Sequence, residues 1–318
     1  MRHLISLKEQ SKEDILSILN LAQKIKTKRN LGGLTNYLTN KTMIMLFQKG
    51  STRTRLSFEA GMTELGGHSI FVDSKTTQFS LTDFADEIQA VMRFGQILMF
   101  RAMKAADVEL ASSFNQIPTI DACSEKYHPA QALSDLLTMV EHSNGFENIK
   151  KITWLGIENN VSNTLKLMCA KLGIKIFIVA PDINLPSVDN ELNQQADLTG
   201  NITKTLNLEE ALTDTDYVHT DTWMDMEYFT DGQVKEGMKT EFEQRKNKFM
   251  PFQLNAKIIN QYAPNAKIMH CMPCHIGYEI SRDAIDHPNS IIFDQAENRM
   301  HAQKGIIMWL LEKEDMVE

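Results

Sequence analysis

The sequence lacks the long apolar runs of a membrane protein. No stretch of its 318 residues approaches the roughly 18–20 consecutive apolar residues that a spanning helix needs. The first residues, MRHLISLKEQSKED, also lack the apolar core and the small-residue cleavage site of a signal peptide. We therefore expect no membrane partner and a cytoplasmic location.

Cysteines and basic blocks are scarce as well. The four cysteines, at positions 123, 169, 271 and 274, do not make a disulfide framework in a chain of this length, and a reducing compartment would keep them as thiols. The formal net charge is −8, without any block rich in lysine and arginine. Because the phosphates of nucleic acids require a basic surface, this composition argues against nucleic acid as the main partner. Any phosphate that the protein handles should be small and locally bound.

Short β-rich runs alternate with segments of helical periodicity. Residues 42–48 form a continuous apolar run, which suits a strand buried on both faces of a parallel sheet. Further strands are predicted at 96–101, 117–123, 151–156, 174–180, 217–221 and 267–271, and helices at 11–25, 56–65, 129–142, 162–172, 208–214 and about 298–313. Such alternation predicts an α/β fold with mostly parallel sheets flanked by helices.

The length favours two domains of roughly 150 residues each. We place the first domain at residues 1–142 and the second at residues 150–297, joined by bridging helices such as 129–142. A C-terminal helix within residues 298–318 is expected to return to the first domain. In open parallel sheets ligands bind beyond the carboxyl ends of the strands, and the motifs that carry chemistry follow predicted strands.

The motif GSTRTR, at 50–55, directly follows the first buried strand and opens a helix. The free N–H groups of a first helical turn, two hydroxyls and an arginine can form charge-assisted hydrogen bonds with a phosphate. A capped helix start with solvated arginines is the alternative interpretation. Arg101 ends the strand ILMFR and His128 opens the segment HPAQ, and either residue alone is more often structural than catalytic.

In this order, STRTR, ILMFR and HPAQ resemble the aspartate/ornithine carbamoyltransferase family, most closely its ornithine branch, and the resemblance extends to the C-terminus. It implies a carbamoyl-phosphate-binding first domain and an acceptor-binding second domain. Carbamoyl phosphate is then expected to contact Ser51, Thr52, Arg53, Thr54, Arg101, His128, Gln131, Cys271, Met272 and Arg299. The resemblance also implies a homotrimer in which Gln78 reaches the site of a neighbouring subunit.

The resemblance also implies roles within that set. Donors from Thr54, Arg101 and His128 would point at the carbonyl oxygen, and Gln131 would orient the carbamoyl NH2. Donors aimed at an oxygen that gains charge stabilise the transition state more than the ground state.

The second half carries the features of an acceptor site. The resemblance implies that the acceptor is bound by Asn160, in LGIENNVSN, and by Asp221, Asp225 and Met226, in HTDTWMDMEYF. Asp225 stands where the family motif D-x-W-x-S-M-G has serine, and Glu227 stands where it has glycine. The added carboxylate favours a cationic acceptor and argues against aspartate, which Asp221 and Asp225 would repel.

The hexapeptide HCMPCH, at 270–275, offers four side chains that could bind a metal. A structural zinc site needs four convergent ligands, whereas adjacent strand residues such as His270 and Cys271 should point to opposite faces. HCMP instead matches the H-C-L-P of the family, which implies that Cys271 contacts both the carbamoyl group and the reacting amine. We predict neither a metal nor an organic cofactor.

The resemblance therefore implies transfer of the carbamoyl group of carbamoyl phosphate to the side-chain amine of ornithine, giving citrulline and phosphate. The catalytic residues would be Arg101, His128, Asp221, Cys271 and Arg299. Putrescine, another diamine or another basic amino acid is the alternative acceptor. Because the phosphate half matches the family better than the acceptor half, a non-catalytic carbamoyl-phosphate-binding homologue is the alternative of a different class. Whether such an enzyme serves arginine synthesis or arginine breakdown is left open.

Overall fold

Two parallel β-sheets, one from each half of the chain, organise the fold, as the alternating pattern predicts. The computed structural model describes residues 1–224, 228–230 and 233–317. The elements of the first half are α1 (Lys12–Asn30), β1 (Thr42–Phe47), α2 (Thr52–Glu64), β2 (His68–Asp73), α3 (Phe84–Met92), β3 (Ile97–Arg101), α4 (Ala105–Ser113), β4 (Thr119–Asp121) and α5 (Pro129–Ser143).

The second half continues with β5 (Lys151–Leu155), α6 (Asn160–Leu172), β6 (Lys175–Val179), α7 (Asn190–Asp197), β7 (Ile202–Lys204), α8 (Leu208–Leu212), β8 (Tyr217–Thr220), β9 (Phe229–Thr230), β10 (Gln233–Val234), α9 (Lys239–Phe249), α10 (Ala256–Tyr262), β11 (Lys267–His270), α11 (Arg282–Ile285) and α12 (Ile292–Leu310). None of the helices within the described residues combines the length and the apolar character needed to cross a membrane.

The first sheet has the strand order β2-β1-β3-β4, and its neighbouring strands are parallel. Alternate residues of β1 enter two different apolar clusters, with Met43 and Met45 on one face and Ile44 and Leu46 on the other. Burial on both faces explains the unbroken apolar sequence of this strand. The edge strand β2 leaves its side chains partly or fully exposed, so its sequence carries no signal of a buried strand.

The second sheet has the order β11-β8-β5-β6-β7 and is also parallel. Because β8 lies between β11 and β5, the residues that follow these three strands meet at one edge of the sheet. These residues are Gly156, Asp221 and Cys271.

Helices α5 and α12 pack together where the two halves meet. Residues 129–140 of α5 are buried, because this helix packs against α1, α6 and α12. Helix α12 packs against α1, α2 and α5, and so returns to the first half of the chain. It begins at Ile292 rather than near residue 298 and ends at Leu310. Its first turns contain Asp294, Gln295 and Asn298, whose polarity masks the helical pattern in the sequence.

Helix α2 begins at Thr52, four residues before the predicted start at 56. The cause is a cap: Ser51 Oγ accepts a hydrogen bond from Thr54 N (3.3 Å), which satisfies a first-turn donor. The STRTR motif is therefore the first turn of the helix itself.

Asp121, the last residue of β4, is a fully buried carboxyl group. Its Oδ1 accepts a hydrogen bond from Cys123 N (2.9 Å), whereas Oδ2 has no partner among the residues that the structure describes. Burial raises the pKa of Asp121 from 3.8 to about 7. Because the folded state holds this proton more tightly than the unfolded state, stability is lost as the pH rises toward about 7.

The variant Asp121→Asn should raise the free energy of unfolding by on the order of 1–3 kcal/mol above pH 7, since an amide carries no charge to desolvate. Near pH 4 the substitution should have little effect. Urea unfolding at an acidic and at an alkaline pH measures both values. A stability difference that does not change with pH would contradict a buried, proton-binding carboxyl group.

Helices α1 and α12 touch closely at Gly305. A Cβ atom built on Gly305 would lie 2.5 Å from Ile18 O and 2.9 Å from Ala22 N, both of them backbone atoms of α1. Gly61, in α2, also faces α12, but its Cβ would find its nearest neighbour, Lys304 Cγ, at 3.4 Å. Of these two glycines, only Gly305 is therefore required by the close spacing of the helices.

We expect Gly305→Ala to lower the free energy of unfolding by roughly 1–3 kcal/mol, because the methyl group forces the two helices apart. The matched variant Gly61→Ala should be neutral or stabilising by up to about 1 kcal/mol, since alanine favours the helix. Thermal and urea unfolding of both variants measures the difference. Equal stability of the two variants would show that α1 and α12 are not in this close contact.

Candidate active site

The first turn of α2 presents the STRTR motif beyond the carboxyl end of β1. Ser51 Oγ forms a hydrogen bond with Thr54 Oγ1 (3.0 Å) in addition to capping the helix. The first N–H groups of a helix have no intrahelical partner, and the helix dipole favours an anion at this end. The Thr52 side chain is exposed and the Arg53 side chain is half-buried, so both can contact a ligand in the cleft.

Thr54 connects three distant parts of the chain. Its hydroxyl Oγ1 is fully buried and accepts hydrogen bonds from Arg101 Nη1 (3.2 Å) and from Arg299 Nη2 (3.1 Å). Arg101 ends β3 and Arg299 lies in α12, so the Thr54 hydroxyl joins α2 to both of these elements. The structure thus brings Ser51, Thr54, Arg101 and Arg299 together.

Three arginines near Thr54 have hydrogen-bond donors that no described residue accepts. The buried Nε atoms of Arg53, Arg101 and Arg299 have no partner within the described residues. Burial, and then the charge of Arg101, lowers the pKa of Arg299 to about 10, and burial also lowers the pKa of Arg53. Arg53 and Arg299 nevertheless remain charged at neutral pH, so the cluster is suited to bind an anion.

His128 lies directly before α5 beside this cluster, and Gln131 follows in the first turn of the helix. The backbone N–H of His128 donates to Thr164 Oγ1 (2.9 Å), and its ring Nδ1 has no partner in the described part of the chain. Burial, and then the charges of Arg299 and Arg101, lowers the pKa of His128 well below its ordinary value. His128 is therefore neutral, and its ring can donate one hydrogen bond without adding charge.

Asp221 and Cys271 form the opposite side of the cleft. Asp221 Oδ1 accepts hydrogen bonds from Cys271 Sγ (3.0 Å) and Thr222 N (2.8 Å), and Oδ2 accepts one from Asn159 Nδ2 (2.7 Å). Desolvation, and then the charge of Asp221, raises the pKa of Cys271 well above its ordinary value. Cys271 is therefore a neutral thiol that donates a hydrogen bond, and not a reactive thiolate.

The two sides of the cleft face each other. The charge of Asp221 acts on the guanidinium of Arg53, which places the residue that follows β8 near the STRTR motif. A ligand bound by the arginines is therefore within reach of a second ligand at Asp221.

The HCMP segment begins with His270, the last residue of β11, and leaves the strand at Cys271. His270 Nδ1 accepts a hydrogen bond from Met272 N (2.8 Å), and His270 Nε2 lies 3.2 Å from Glu279 Oε1. Met272 has a φ of +55°, a left-handed conformation that is uncommon for residues other than glycine.

The expectation that His270 and Cys271 point to opposite faces is wrong. Potential ligand atoms of Asp221, His270 and Cys271 all lie within 4.8 Å of one another, because the strand ends at His270 and the chain turns there. Both ring nitrogens of His270 already have protein partners, so a metal ion at these residues would have to displace one of them.

Some predicted residues lie elsewhere. Gln78 is exposed in a short turn, and no contact of its side chain with the cluster is found in the described residues. Asn160 Nδ2 donates to Ser124 O (2.7 Å) and contacts Cys123 Sγ (3.2 Å), so its amide is already used between the two halves of the chain. Asp225, Met226 and Glu227 lie outside the described residues.

Sequence reasoning missed the polar residues that support the site. Asp135 accepts hydrogen bonds from Gln131 and from Gln295. Glu279 Oε1 lies 3.2 Å from His270 Nε2 and accepts a hydrogen bond from His275 N. The spacing of Gln131 and Asp135, four residues apart on a predicted helix, was the one available signal. Glu279 and Gln295 have no such relation to the residues that they contact.

The comparisons with known proteins agree with this geometry. A family model described as the aspartate/ornithine carbamoyltransferase carbamoyl-P binding domain matches residues 2–141, and the corresponding Asp/Orn binding domain model matches residues 148–310. The ornithine carbamoyltransferase of Methanosarcina acetivorans is 36% identical over 311 residues, which cover 98% of this chain and 99% of that protein.

Another relative, the ornithine carbamoyltransferase of Archaeoglobus fulgidus, is 34% identical over the full length of both chains, 319 aligned residues. The solved structure of the ornithine carbamoyltransferase from Pyrococcus furiosus superimposes with a TM-score of 0.87 at 33% identity, covering 98% of this chain and 97% of that one. The chain belongs to the aspartate/ornithine carbamoyltransferase family.

Proposed function

We propose that the protein transfers the carbamoyl group of carbamoyl phosphate to the side-chain amine of ornithine, giving citrulline and phosphate. The observation that carries this proposal is the cluster of Arg53, Arg101 and Arg299 around Thr54, facing the Asp221–Cys271 pair. An anion site with unused donors suits carbamoyl phosphate, and a carboxylate beside a neutral thiol suits an amine. The names of the relatives support ornithine as that amine.

The phosphate side supplies electrostatic stabilisation. Arg53 and the first turn of α2 hold the phosphate, while Arg101, Arg299 and the neutral His128 direct donors at the carbamoyl oxygen. The deprotonated amine attacks the carbamoyl carbon, negative charge grows on that oxygen, and these donors bind it more strongly than they bind the ground state. The bond between carbon and the phosphate oxygen then breaks, and the leaving phosphate takes the electron pair and can accept the proton of the amine.

The acceptor side positions the amine. Asp221 attracts the ammonium group, and exclusion of water from the cleft favours loss of its proton before attack. Asp225 adds a carboxylate to the same segment of sequence, which supports a cationic acceptor and keeps putrescine as the second candidate. Asn160 can donate to an α-carboxylate through its second N–H, which contacts Cys123 Sγ (3.2 Å), while the first N–H stays on Ser124 O.

We further propose a cytoplasmic homotrimer. The edge strand β2 exposes Ile70 and Phe71, and Leu56 in the adjoining helix α2 is 61% exposed. An unpaired sheet edge with apolar side chains is typical of a surface that another subunit covers. The exposed position of Gln78 is compatible with a contact to the site of a neighbouring subunit.

A ureido assay with carbamoyl phosphate and a panel of amines tests the reaction. We expect product with ornithine, and much less with putrescine, lysine or aspartate. Product with putrescine in place of ornithine would change the acceptor, and no product with any amine would support a carbamoyl-phosphate-binding protein without turnover.

Arg53→Ala should lower kcat/KM for carbamoyl phosphate by about 10²-fold or more, since a buried charged donor to the reacting phosphate is lost. Arg29→Ala is the matched control, because Arg29 Nε already pairs with Glu64 Oε1 at 3.0 Å, on the surface. Its activity should stay within about threefold of the wild-type value. Steady-state phosphate release measures both, and wild-type turnover in Arg53→Ala would disprove the assignment of the phosphate site.

A further inference from the structure

Gln131 has an unused hydrogen-bond acceptor at a fully buried position. Its Nε2 donates to Asp135 Oδ1 (2.8 Å), one turn further along α5, whereas its Oε1 lacks a partner within the described ranges of the chain. Neither Gln131 nor Asp135 is exposed to solvent. A buried acceptor without a partner is unfavourable, and an NH2 group of a ligand would satisfy it.

A series of hydrogen bonds that begins at the backbone N–H of His270 fixes the orientation of the Gln131 amide. His270 N donates to Gln295 Oε1 (2.9 Å), and a backbone N–H cannot be exchanged for an acceptor. Gln295 therefore turns its Nε2 toward Asp135, and donates to Oδ1 at 2.7 Å. Gln131 Nε2 donates to the same oxygen, because the opposite orientation would place its Oε1 against an oxygen that has no proton to donate.

His219 holds the other oxygen of Asp135. His219 Nε2 lies 3.1 Å from Asp135 Oδ2, and its Nδ1 lies 3.1 Å from Thr220 O, which can only accept. Nδ1 therefore donates to Thr220 O, and Nε2 faces both Asp135 Oδ2 and Gln295 Nε2, the latter at 3.0 Å. Oδ1 of Asp135 accepts from both glutamines. The ring of His219 stacks on Trp154, with centroids 5.0 Å apart, so it cannot turn freely.

We propose that Asp135, held by His219 and Gln295, is a positioning residue that directs the amide oxygen of Gln131 at the NH2 group of the bound phosphate ligand. The inference rests on the proposed function, because it takes carbamoyl phosphate as that ligand. It also gives the site a basis for selectivity. A ligand with a methyl group or an anionic oxygen in place of NH2 leaves Gln131 Oε1 unsatisfied or repelled.

The same hydrogen bonds join the elements that carry the rest of the site. Asp135 belongs to α5, Gln295 to α12 and His219 to β8, and Gln295 also contacts β11 through His270 N. Gln131 and Arg299 lie in α5 and α12, and Asp221 and Cys271 directly follow β8 and β11. Reorientation of Asp135 would therefore disturb ligand recognition without removing any group that touches the ligand.

Binding of two stable probes tests the proposal without turnover. Phosphonoacetamide carries a phosphonate and a terminal amide, whereas inorganic phosphate has no NH2 group. In calorimetric titrations, Asp135→Leu should weaken phosphonoacetamide binding by about tenfold or more and should change phosphate binding by less than about twofold. Equal losses for both probes, or no loss for either, would overturn the inference.

Asp135→Asn is the conservative variant. Because Gln295 Nε2 is fixed by the backbone of His270, the asparagine should present its Oδ1 to the two glutamines and its Nδ2 to His219. Phosphonoacetamide binding should therefore stay within about threefold of the wild-type value. Thr138→Val is the matched control, since it removes a buried hydrogen bond between α5 and Asn298 that does not lead to Gln131.

A double-mutant cycle separates positioning from general damage. In a Gln131→Ala background, Asp135→Leu should cause less than about a twofold further loss, because its effect passes through the missing amide. Additive losses would overturn the proposal. If Asp135→Leu does not fold by circular dichroism, Asp135→Ala removes the same acceptor without added volume. A wild-type protein that binds phosphate but shows no preference for phosphonoacetamide would instead count against the proposed function.

Discussion

Mutual repulsion among three neighbouring guanidinium groups, each with a buried Nε atom, is the constraint that the rest of the structure has to satisfy. Arg101 and Arg299 both donate hydrogen bonds to the hydroxyl of Thr54, and Arg53 lies beside them. Within the described residues none of the three has an ion pair with a carboxylate, so their charge is left for a ligand. The packing of α12 against α1 and α2 has to offset the cost of collecting this charge, because the same helix carries Arg299.

The two sides of the cleft differ in how their polar atoms are satisfied. On the phosphate side, the Nε atoms of the arginines, His128 Nδ1 and Gln131 Oε1 lack partners among the described residues. On the acceptor side, Asp221, Cys271 and Asn160 all have hydrogen bonds with the protein. A ligand on the first side gains interactions that are otherwise missing, whereas a ligand on the second side binds to groups that already have hydrogen bonds with the protein.

The sheets and the position of the STRTR motif could be predicted because their signals are local. The apolar run of β1 and the adjoining STRTR motif lie next to each other in sequence, and a shared sheet edge brings Arg101 and His128 to the same place. The supporting residues could not be predicted, because Gln295 and Asp135 are 160 positions apart and no periodicity relates them. The divergence expected of His270 and Cys271 failed for a different reason: the rule for strands was applied one residue beyond the end of β11.

The position of α12 along the chain also affects the order of folding. Thr54 and the residue that completes its hydrogen bonds, Arg299, are 245 positions apart, and the helix that carries Arg299 covers α1 and α2. During synthesis from the N-terminus, the STRTR motif is made long before this helix exists, and the apolar surfaces of α1 and α2 that the helix covers stay exposed until then. The first half of the chain can therefore reach its final packing, and its full cationic site, only after nearly all of the second half has been made.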